Sequence, residues 1–232
     1  EFRQILLANP DQIVAVFACA EPSPSLRMLD RFLVIAEKQA VEAVVVANKV
    51  DLVTPERARS IFEVYTQLGY PVVYTSAHTG QGVAQLREHL KGKLSALTGP
   101  SGVGKSSLLN AIQPNLGLHV RSVSESTSKG RHTTRVRALF PLDVGGYVAD
   151  TPGIRSLALW DTEPEELDAY FIEMRELVAD CQFSDCTHTH EPGCAVLTAV
   201  ETGEVARERY NSYLRLRFGD DSEEFMDEGV VE

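Results

Sequence analysis

The sequence has no long apolar run. None of its hydrophobic segments approaches the roughly 20 residues that a membrane-spanning helix needs. No signal-peptide pattern opens the chain, so we expect a cytoplasmic protein that does not contact a membrane. It also has no internal repeat, which excludes a repeat architecture. The chain has 232 residues, of which 44% are hydrophobic. This length and composition allow one sizeable core and a smaller appendage.

Positive charge is scarce. The 22 Lys and Arg residues stand against 33 Asp and Glu, a formal net charge of −11, which argues against DNA as a partner. Residues 219–232 carry seven carboxylates and no Lys or Arg, and without them the net charge is −4. We interpret this segment as an acidic disordered tail. The remaining charge neither demands nor excludes contact with RNA.

Cysteine is rare, and three of the four cysteines lie close together near the C-terminus. In a cytosolic chain such a cluster is more often a metal site than a disulfide framework. The pattern Cys181-x₄-Cys186-x-His188-x₅-Cys194 offers three thiolates and one imidazole, the closed tetrahedral set of a structural zinc site. His190 is the competing imidazole. We expect His188 to be the ligand and His190 to lie at the surface.

The first two-thirds of the chain alternate short β-branched runs with helix-period segments, which is typical of a parallel sheet covered by helices. Strands are predicted over residues 13–19, 42–47, 71–75, 95–98, 135–142 and 147–150, and helices begin near residues 23, 55, 83 and 105. Two further helices are predicted over 164–178 and 205–218. The sequence therefore predicts an α/β fold with a six-stranded, mostly parallel sheet in residues 1–158. A small, mostly helical, zinc-binding domain follows in residues 159–218.

A glycine-rich loop lies between the fourth strand and the helix that follows it. Residues 99–106, GPSGVGKS, match the phosphate-binding pattern G-x-x-x-x-G-K-[ST] in the context that this pattern requires. Successive backbone N–H groups and a helix N-terminus create a concavity for phosphate. We expect Lys105 to reach the β- and γ-phosphates and Ser106 to ligate Mg²⁺. The predicted phosphate-binding residues are Gly99, Pro100, Ser101, Gly102, Val103, Gly104, Lys105, Ser106 and Ser107.

A second carboxylate for Mg²⁺ is predicted where the sixth strand ends. Asp150 opens the sequence Asp-Thr-Pro-Gly, and its carboxylate is placed to hold Mg²⁺ through water. The N–H of Gly153 is then placed to sense the γ-phosphate. Alone, this tetrapeptide is an ordinary turn, but downstream of a phosphate-binding loop it indicates a nucleotide site.

The motif Asn48-Lys49-Val50-Asp51 follows a buried strand and indicates the base. A carboxylate at Asp51 accepts hydrogen bonds from N1 and the exocyclic amine of guanine, which adenine does not supply. Asn48 would brace neighbouring loops, and the stem of Lys49 would lie over the base. Ser76 and Ala77, after the next strand, fit a backbone N–H contact to O6 of guanine. These residues favour GTP and GDP over adenine nucleotides.

The order of these motifs is circularly permuted. Ras-like domains run from the phosphate-binding loop through DTPG to NKxD and SA, whereas here NKVD and SA precede the loop and DTPG follows it. A parallel sheet tolerates this order because its ligands bind at the carboxyl ends of the strands, whichever connection is cut. The loop after Gly153 now leads directly into the C-terminal domain. A γ-phosphate-dependent shift there would be transmitted to that domain.

The chain resembles the circularly permuted GTPases of small-ribosomal-subunit biogenesis, the RsgA/YjeQ type. The resemblance rests on NKVD, SA, GPSGVGKSSLLN, GRHTTR, DTPGIR and the terminal Cys/His pattern, and it covers nearly the whole chain. It implies GTP hydrolysis stimulated by the 30S subunit, late in subunit maturation, and contact with 16S rRNA. We expect a monomer. The resemblance also implies an N-terminal OB-fold, which we expect this chain to lack because it opens close to where that domain ends.

The residue that orients the hydrolytic water is harder to predict. Ras-like enzymes place a Gln after the DxxG glycine, but this chain has Ile154, which cannot hydrogen-bond water. His132 is the best local candidate, because a neutral imidazole accepts a hydrogen bond, and the resemblance points the same way. Thr133 or Thr134 should close on Mg²⁺ and the γ-phosphate, and spacing does not choose between them. We therefore expect slow intrinsic hydrolysis that a partner accelerates.

Two other functions remain open at this point. Ile154 is compatible with a module that binds guanine nucleotide, hydrolyses it negligibly and acts as a scaffold. An ATPase is a further alternative, which nucleotide competition and the Asp51→Asn variant would test.

Overall fold

The computed structural model describes residues 9–116, 138–150 and 163–219. The described residues form two compact units: residues 9–25, 41–116 and 138–150 make up the first, and residues 26–40 and 163–219 the second. Helix α1, Leu26–Lys38, thus groups with the C-terminal residues, although the sequence predicts it within residues 1–158. The predicted boundary at residues 158 and 159 falls outside the described residues, as does nearly all of the predicted acidic tail, and both stay predictions.

The first unit is built on a six-stranded sheet in the order β3-β2-β1-β4-β6-β5. The strands are β1 Gln12–Ala18, β2 Glu42–Asn48, β3 Val72–Tyr74, β4 Leu94–Thr98, β5 Ala138–Pro141 and β6 Tyr147–Asp150. Only the β5–β6 pair is antiparallel among these neighbours. The predicted six-stranded, mostly parallel sheet is therefore confirmed.

The central strands are buried on both faces, as parallel sheets covered by helices require. All seven residues of β1 are buried, and so are six of the seven in β2. Val14 and Val44 are register partners in the two strands. Leu86 of the helix that follows β3 and Leu108 of the helix that follows β4 pack into the same core. These β-branched and leucine side chains explain the continuous apolar runs in the sequence.

Three helices of the first unit begin where the sequence signals predict. Helix α2 spans Pro55–Gln67, and the N–H of Arg57 donates to the Thr54 hydroxyl at 3.2 Å, which caps its first turn. Helix α3 spans Val83–Leu90 and helix α4 spans Lys105–Ile112. Among the described residues, no helix is long and apolar enough to cross a membrane.

The second unit is helical but more broken than the sequence predicts. Its segments after α1 are a 3₁₀ helix at Pro164–Tyr170, α5 at Ile172–Arg175, a 3₁₀ turn at Val178–Asp180, α6 at Ala195–Thr202 and α7 at Arg207–Phe218. The single helix predicted over 164–178 is wrong, because extended backbone at Phe171 interrupts it. The Phe171 ring is fully buried and meets the edge of the Tyr213 ring. Helix α6 is missing from the prediction, and α7 begins two residues later than predicted.

A buried ion cluster explains why α1 belongs to this unit. Arg209 of α7 is 1% exposed, and so is Asp30 of α1. The Arg209 guanidinium donates to Asp30 at 2.7 Å and to both carboxylate oxygens of Glu173 at 2.6 and 3.0 Å. It also lies 4.6 Å from the centre of the Phe171 ring. A buried charge must be paired, so these contacts hold α1, α5 and α7 together.

Candidate functional site

The predicted nucleotide motifs meet at one edge of the first unit. Asn48 is the last residue of β2, Ser76 lies just beyond β3, the glycine-rich loop follows β4, and Asp150 ends β6. Because these strands are parallel, their carboxyl ends share one edge, which is where open α/β sheets bind ligands. The reversed order of the motifs along the chain therefore does not separate them in space.

The glycine-rich loop is pressed against the sheet. Gly99 has φ +140°, and a Cβ there would lie 2.0 Å from the carbonyl oxygen of Val16. Only glycine fits at this position. The ammonium of Lys105 donates to the carbonyl oxygens of Gly99 and Pro100 at 2.8 and 2.7 Å. The lysine side chain thus curls over the loop from the first turn of α4, where phosphate oxygens would lie.

Asn48 joins the base-reading motif to the phosphate loop. Its side-chain amide donates to the carbonyl oxygen of Val103 at 2.8 Å, and its amide oxygen accepts from the Thr75 hydroxyl at 3.0 Å. Asn48 is 1% exposed, and Thr75 and Val103 are equally buried. A Cβ at Gly104 would lie only 2.5 Å from the Asn48 amide nitrogen. The contact therefore requires glycine on the loop side.

The residues predicted to read the base are arranged around this link. Asp51 is exposed in the 3₁₀ turn Val50–Leu52. The N–H of Val50 donates to the Thr75 carbonyl at 3.2 Å, which holds this turn beside the loop after β3. There, buried Ser76 accepts a hydrogen bond from the N–H of Thr79 at 3.1 Å. The Lys49 ammonium donates to the carbonyl of Glu21.

These elements enclose a pocket of about 370 Å³, the size of a small-molecule site. Its lining combines three of the four predicted motifs, NKVD, SA and the glycine-rich loop, with two neighbouring residues: Asn48, Lys49, Asp51, Leu52, Ala77, His78, Gly104 and Ser107. Leu52 and His78 are absent from the sequence prediction. Leu52 directly follows Asp51 and His78 directly follows Ala77, so both could have been predicted as neighbours of motif residues.

The remaining predicted nucleotide residues are only partly described. Ser106 is half-buried in the first turn of α4. The backbone of Asp150 pairs with Leu97 of β4, so the end of β6 lies beside the strand that leads into the glycine-rich loop. His132, Thr133, Thr134, Gly153 and Ile154 lie outside the described residues. The residues that would contact the γ-phosphate and the hydrolytic water therefore stay predictions.

The second unit contains a separate cluster of metal-binding side chains. One ligand atom from each of Cys181, Cys186, His188 and Cys194 lies within 4.8 Å of the others. The Sγ atoms of Cys181 and Cys194 are 3.9 Å apart. The Nδ1 atom of His188 is 3.6 Å from Cys181 Sγ and 3.4 Å from Cys194 Sγ. His190 is exposed and does not belong to the cluster.

These distances fit a tetrahedral metal ion. Zinc lies about 2.3 Å from sulfur and about 2.0–2.1 Å from nitrogen, so a tetrahedral site separates two sulfurs by about 3.8 Å and sulfur from nitrogen by about 3.6 Å. The observed separations of 3.9, 3.6 and 3.4 Å agree with that geometry. Three thiols and one imidazole therefore surround a position suited to one metal ion.

The surroundings of the thiols also favour a cation. Burial raises the pKa of Cys186 to about 12, and neighbouring thiols contribute to the rise. Burial likewise raises the pKa of Cys194. Thiols in such surroundings stay protonated unless a positive charge lies among them, and a coordinated divalent metal supplies that charge.

The loop that carries His188 is organised by a neighbouring carboxylate. Glu191 accepts hydrogen bonds from the hydroxyl of Thr187 and from the N–H groups of Thr187, Thr189 and His190. Burial raises the pKa of Glu191, but these hydrogen bonds outweigh it and hold that pKa well below its usual range. The ionised carboxylate thus maintains a loop in which His188 has φ +58°. The sequence prediction does not include this role.

Comparison with known proteins gives a consistent result. A family model described as RsgA GTPase matches residues 1–160. A small ribosomal subunit biogenesis GTPase RsgA from Gemmatimonas aurantiaca is 52% identical over 214 residues, which are 92% of this chain and 70% of that protein. The protein of the same name from Thermotoga maritima is 49% identical over 213 residues, which are 90% of this chain and 71% of the relative.

Two solved structures share the fold. The crystal structure of YjeQ from Thermotoga maritima superposes with a TM-score of 0.76 at 46% identity and covers 90% of this chain and 71% of that one. The structure of YloQ, described as a circularly permuted GTPase, gives a TM-score of 0.72 at 36% identity and covers 97% of this chain and 71% of that one.

Proposed function

The chain belongs to the RsgA GTPase family, and from that premise we propose that it binds and hydrolyses GTP as a switch in maturation of the small ribosomal subunit. The observation that carries this proposal is the hydrogen bond from Asn48 to the carbonyl of Val103 at 2.8 Å. It joins the base-reading motif to the phosphate loop in one pocket. The chain is thus built to hold both ends of one guanine nucleotide.

Different residues of the pocket and of the glycine-rich loop bind different parts of the nucleotide. The Asp51 carboxylate accepts hydrogen bonds from N1 and the exocyclic amine of guanine. The backbone at Ser76 and Ala77 donates to O6, and the stem of Lys49 covers the base. The phosphates lie on the glycine-rich loop at the N-terminus of α4, where Lys105 leaves its two carbonyl partners to bind phosphate oxygens. Lys49, Asp51 and Ala77 line the pocket described above.

Hydrolysis requires charge neutralisation and an oriented water. We place Ser106, Asp150 and one of Thr133 and Thr134 around Mg²⁺, which neutralises charge on the phosphates. His132 remains the candidate for orienting the water. Because a hydrophobic Ile154 replaces the Ras-like glutamine, turnover by the chain alone should be slow. If the 30S subunit accelerates hydrolysis, the rate of hydrolysis depends on the state of that subunit.

The relatives' names support a small ribosomal subunit as the partner. We propose that the chain contacts 16S rRNA within the 30S particle, in the cytoplasm where such particles mature. We propose that it does so as a monomer.

Zinc is the metal that the C-terminal cluster fits best. Three thiolates and one imidazole in tetrahedral arrangement form a closed structural site for Zn²⁺. Cys181, Cys186, His188 and Cys194 would hold it, with no coordination position left for substrate. The ion would support folding of the second unit, since its binding energy becomes folding energy.

The test is GTP turnover by the whole chain, measured alone and with purified 30S subunits. We expect slow release of phosphate alone and at least about tenfold faster release with 30S subunits, a threshold set well below the roughly 10³- to 10⁵-fold that an arginine finger supplies to other GTPases. Large subunits serve as the matched control, and the Lys105→Ala variant controls for contaminating activity. Equal, near-zero rates with and without 30S subunits would contradict the proposal and leave a nucleotide-binding scaffold.

A further inference from the structure

We propose that Asp168 is a positioning residue for the metal site. Its carboxylate fixes the His188 ring so that Nδ1, and not Nε2, is the ligand atom. This inference rests on the metal site proposed above. The Nε2 atom of His188 lies 3.2 Å from Oδ2 of Asp168. Its Nδ1 atom lies 3.4 Å from Cys194 Sγ and 3.6 Å from Cys181 Sγ. The ring therefore bridges a carboxylate and the thiol cluster.

The chemistry of imidazole gives this arrangement its consequence. A neutral histidine carries one proton, on either nitrogen, and only the bare nitrogen can bind a metal. A carboxylate at Nε2 accepts a hydrogen bond from that nitrogen and so favours the form with the proton there. The lone pair of Nδ1 is then available to the ion. The carboxylate also makes the imidazole a stronger donor toward the metal.

Asp168 is itself held in place. Its second carboxylate oxygen accepts the N–H of Ala169 at 2.8 Å. Leu167, which precedes it in the 3₁₀ helix, and Phe171, which directly follows that helix, are buried in the core of the second unit. The Asp168 side chain is 14% exposed and the His188 side chain is fully buried. The carboxylate is therefore fixed relative to the ring and partly shielded from water.

The backbone and the ring of His188 have separate supports. The Glu191 carboxylate binds the N–H groups around the ligand loop, and the Tyr210 hydroxyl donates to the His188 carbonyl at 2.6 Å. Neither of these contacts involves the imidazole. Asp168 hydrogen-bonds to the ring, so its removal should alter the ligand without dismantling the loop.

The experiment measures Zn²⁺ affinity of the whole chain by competition with a chromophoric chelator. We expect Asp168→Ala to weaken Zn²⁺ binding about 10- to 100-fold, the range for outer carboxylates of metal sites. Asp168→Asn keeps the shape and an accepting oxygen but loses the charge. Since charged hydrogen bonds are about twice as strong as neutral ones, we expect a smaller loss of about 3- to 10-fold. Glu165→Ala, an exposed carboxylate of the same 3₁₀ helix, is the matched control and should bind like wild type.

A nitrogen-detected NMR spectrum of the zinc-loaded chain gives a second readout, which a merely structural role would not move. We expect His188 to show a metal-bound Nδ1 and a protonated Nε2. A metal-bound Nε2, or Asp168→Ala affinity within twofold of wild type, would overturn the positioning role alone. If Asp168→Ala does not fold with Zn²⁺, then Asp168→Asn decides by the same criterion. A wild-type chain that binds no Zn²⁺ would overturn the metal site and the positioning role together. The proposed GTPase function would stand or fall separately, because it is tested by GTP turnover.

Discussion

Asn48 is the residue whose removal tests the nucleotide pocket most thoroughly. Replacing it by alanine removes the hydrogen bond to the Val103 carbonyl at 2.8 Å and the one from the Thr75 hydroxyl at 3.0 Å. Both partners are almost fully buried, so neither gains water easily. A net hydrogen bond contributes about 0.5–1.5 kcal/mol, and a buried group left unpaired costs about 1–3 kcal/mol. The total for Asn48→Ala is therefore about 2–4 kcal/mol.

That free energy is divided between stability and binding. If all of it appeared in binding, GDP affinity would fall roughly 30- to 1000-fold, because 1.4 kcal/mol is a factor of ten. Part of the link already exists before nucleotide binds, so part of the loss appears as lower stability of the first unit. We expect the dissociation constant for GDP to rise about 10- to 100-fold. The rest of the lost free energy should appear as a lower free energy of unfolding. Titration with a fluorescent GDP analogue measures the first quantity, and denaturant unfolding measures the second.

A double-mutant cycle shows whether the link is the cause. Thr75→Val keeps the shape of the side chain and removes only the hydroxyl that donates to Asn48. If Thr75 acts through Asn48, the double variant should bind GDP no more weakly than Asn48→Ala alone. Strictly additive losses would show that the two residues act separately. GDP affinity and stability of Asn48→Ala both within experimental error of wild type would refute the reasoning.

Two further substitutions test the packing around the two sites. Arg209→Met should lower the free energy of unfolding of the second unit by about 3–5 kcal/mol in thermal or denaturant melts, because it removes the guanidinium that pairs with the buried carboxylates of Asp30 and Glu173. Arg175→Met breaks a partly exposed pair with Glu37 and a hydrogen bond to the Ala169 carbonyl, and it should cost less than about 2 kcal/mol, so equal losses would contradict this explanation. Gly104→Ala should weaken GDP binding at least about tenfold, since its methyl group would meet the Asn48 amide. Gly69→Ala, also at positive φ but in open space, should leave binding unchanged, and a similar loss there would point to backbone strain instead.

The nucleotide motifs could be predicted from the sequence because their chemistry is local. We expect a glycine-rich loop followed by Lys105, or a carboxylate two residues after Lys49, to act through a short stretch of backbone at the end of a strand. The strands that present these residues are equally legible, since β1 and β2 are apolar throughout and buried on both faces. Local sequence patterns were therefore enough for most of the first unit.

The second unit shows where local patterns fail. Leu167, Phe171 and Met174 follow a helical period and are all buried, yet the backbone reaches them through a 3₁₀ helix, an extended residue and a short α-helix. The period reveals which residues are buried and not how the chain travels between them. For the same reason the sequence does not reveal that Asp30 is buried and ion-paired, because within its amphipathic helix it resembles any polar surface residue. Its partner Arg209 lies 179 residues away in the chain.

Contacts between residues that are distant in sequence also support the cluster of cysteines and His188. The four predicted metal ligands are recognisable from the spacing of the cysteines and His188, but Asp168 lies 20 residues before His188 in a segment with no metal-binding pattern. Only the folded chain brings the two side chains together. Residues that support a site are therefore harder to predict than the residues that form it.

The most direct test of the guanine pocket is base selectivity of the Asp51→Asn variant. We propose that the carboxylate of Asp51 accepts from both the N1–H and the amine of guanine, and two charged hydrogen bonds contribute at least about 3 kcal/mol, about two orders of magnitude in affinity. Asparagine presents an amide N–H to the guanine amine, which is also a donor, whereas xanthine offers a carbonyl there. The measurement is the ratio of dissociation constants for GDP and xanthosine diphosphate. Wild type should prefer GDP by about 100-fold or more, and Asp51→Asn should prefer xanthosine diphosphate. An Asp51→Asn variant that keeps the wild-type preference for GDP would contradict the pocket described here.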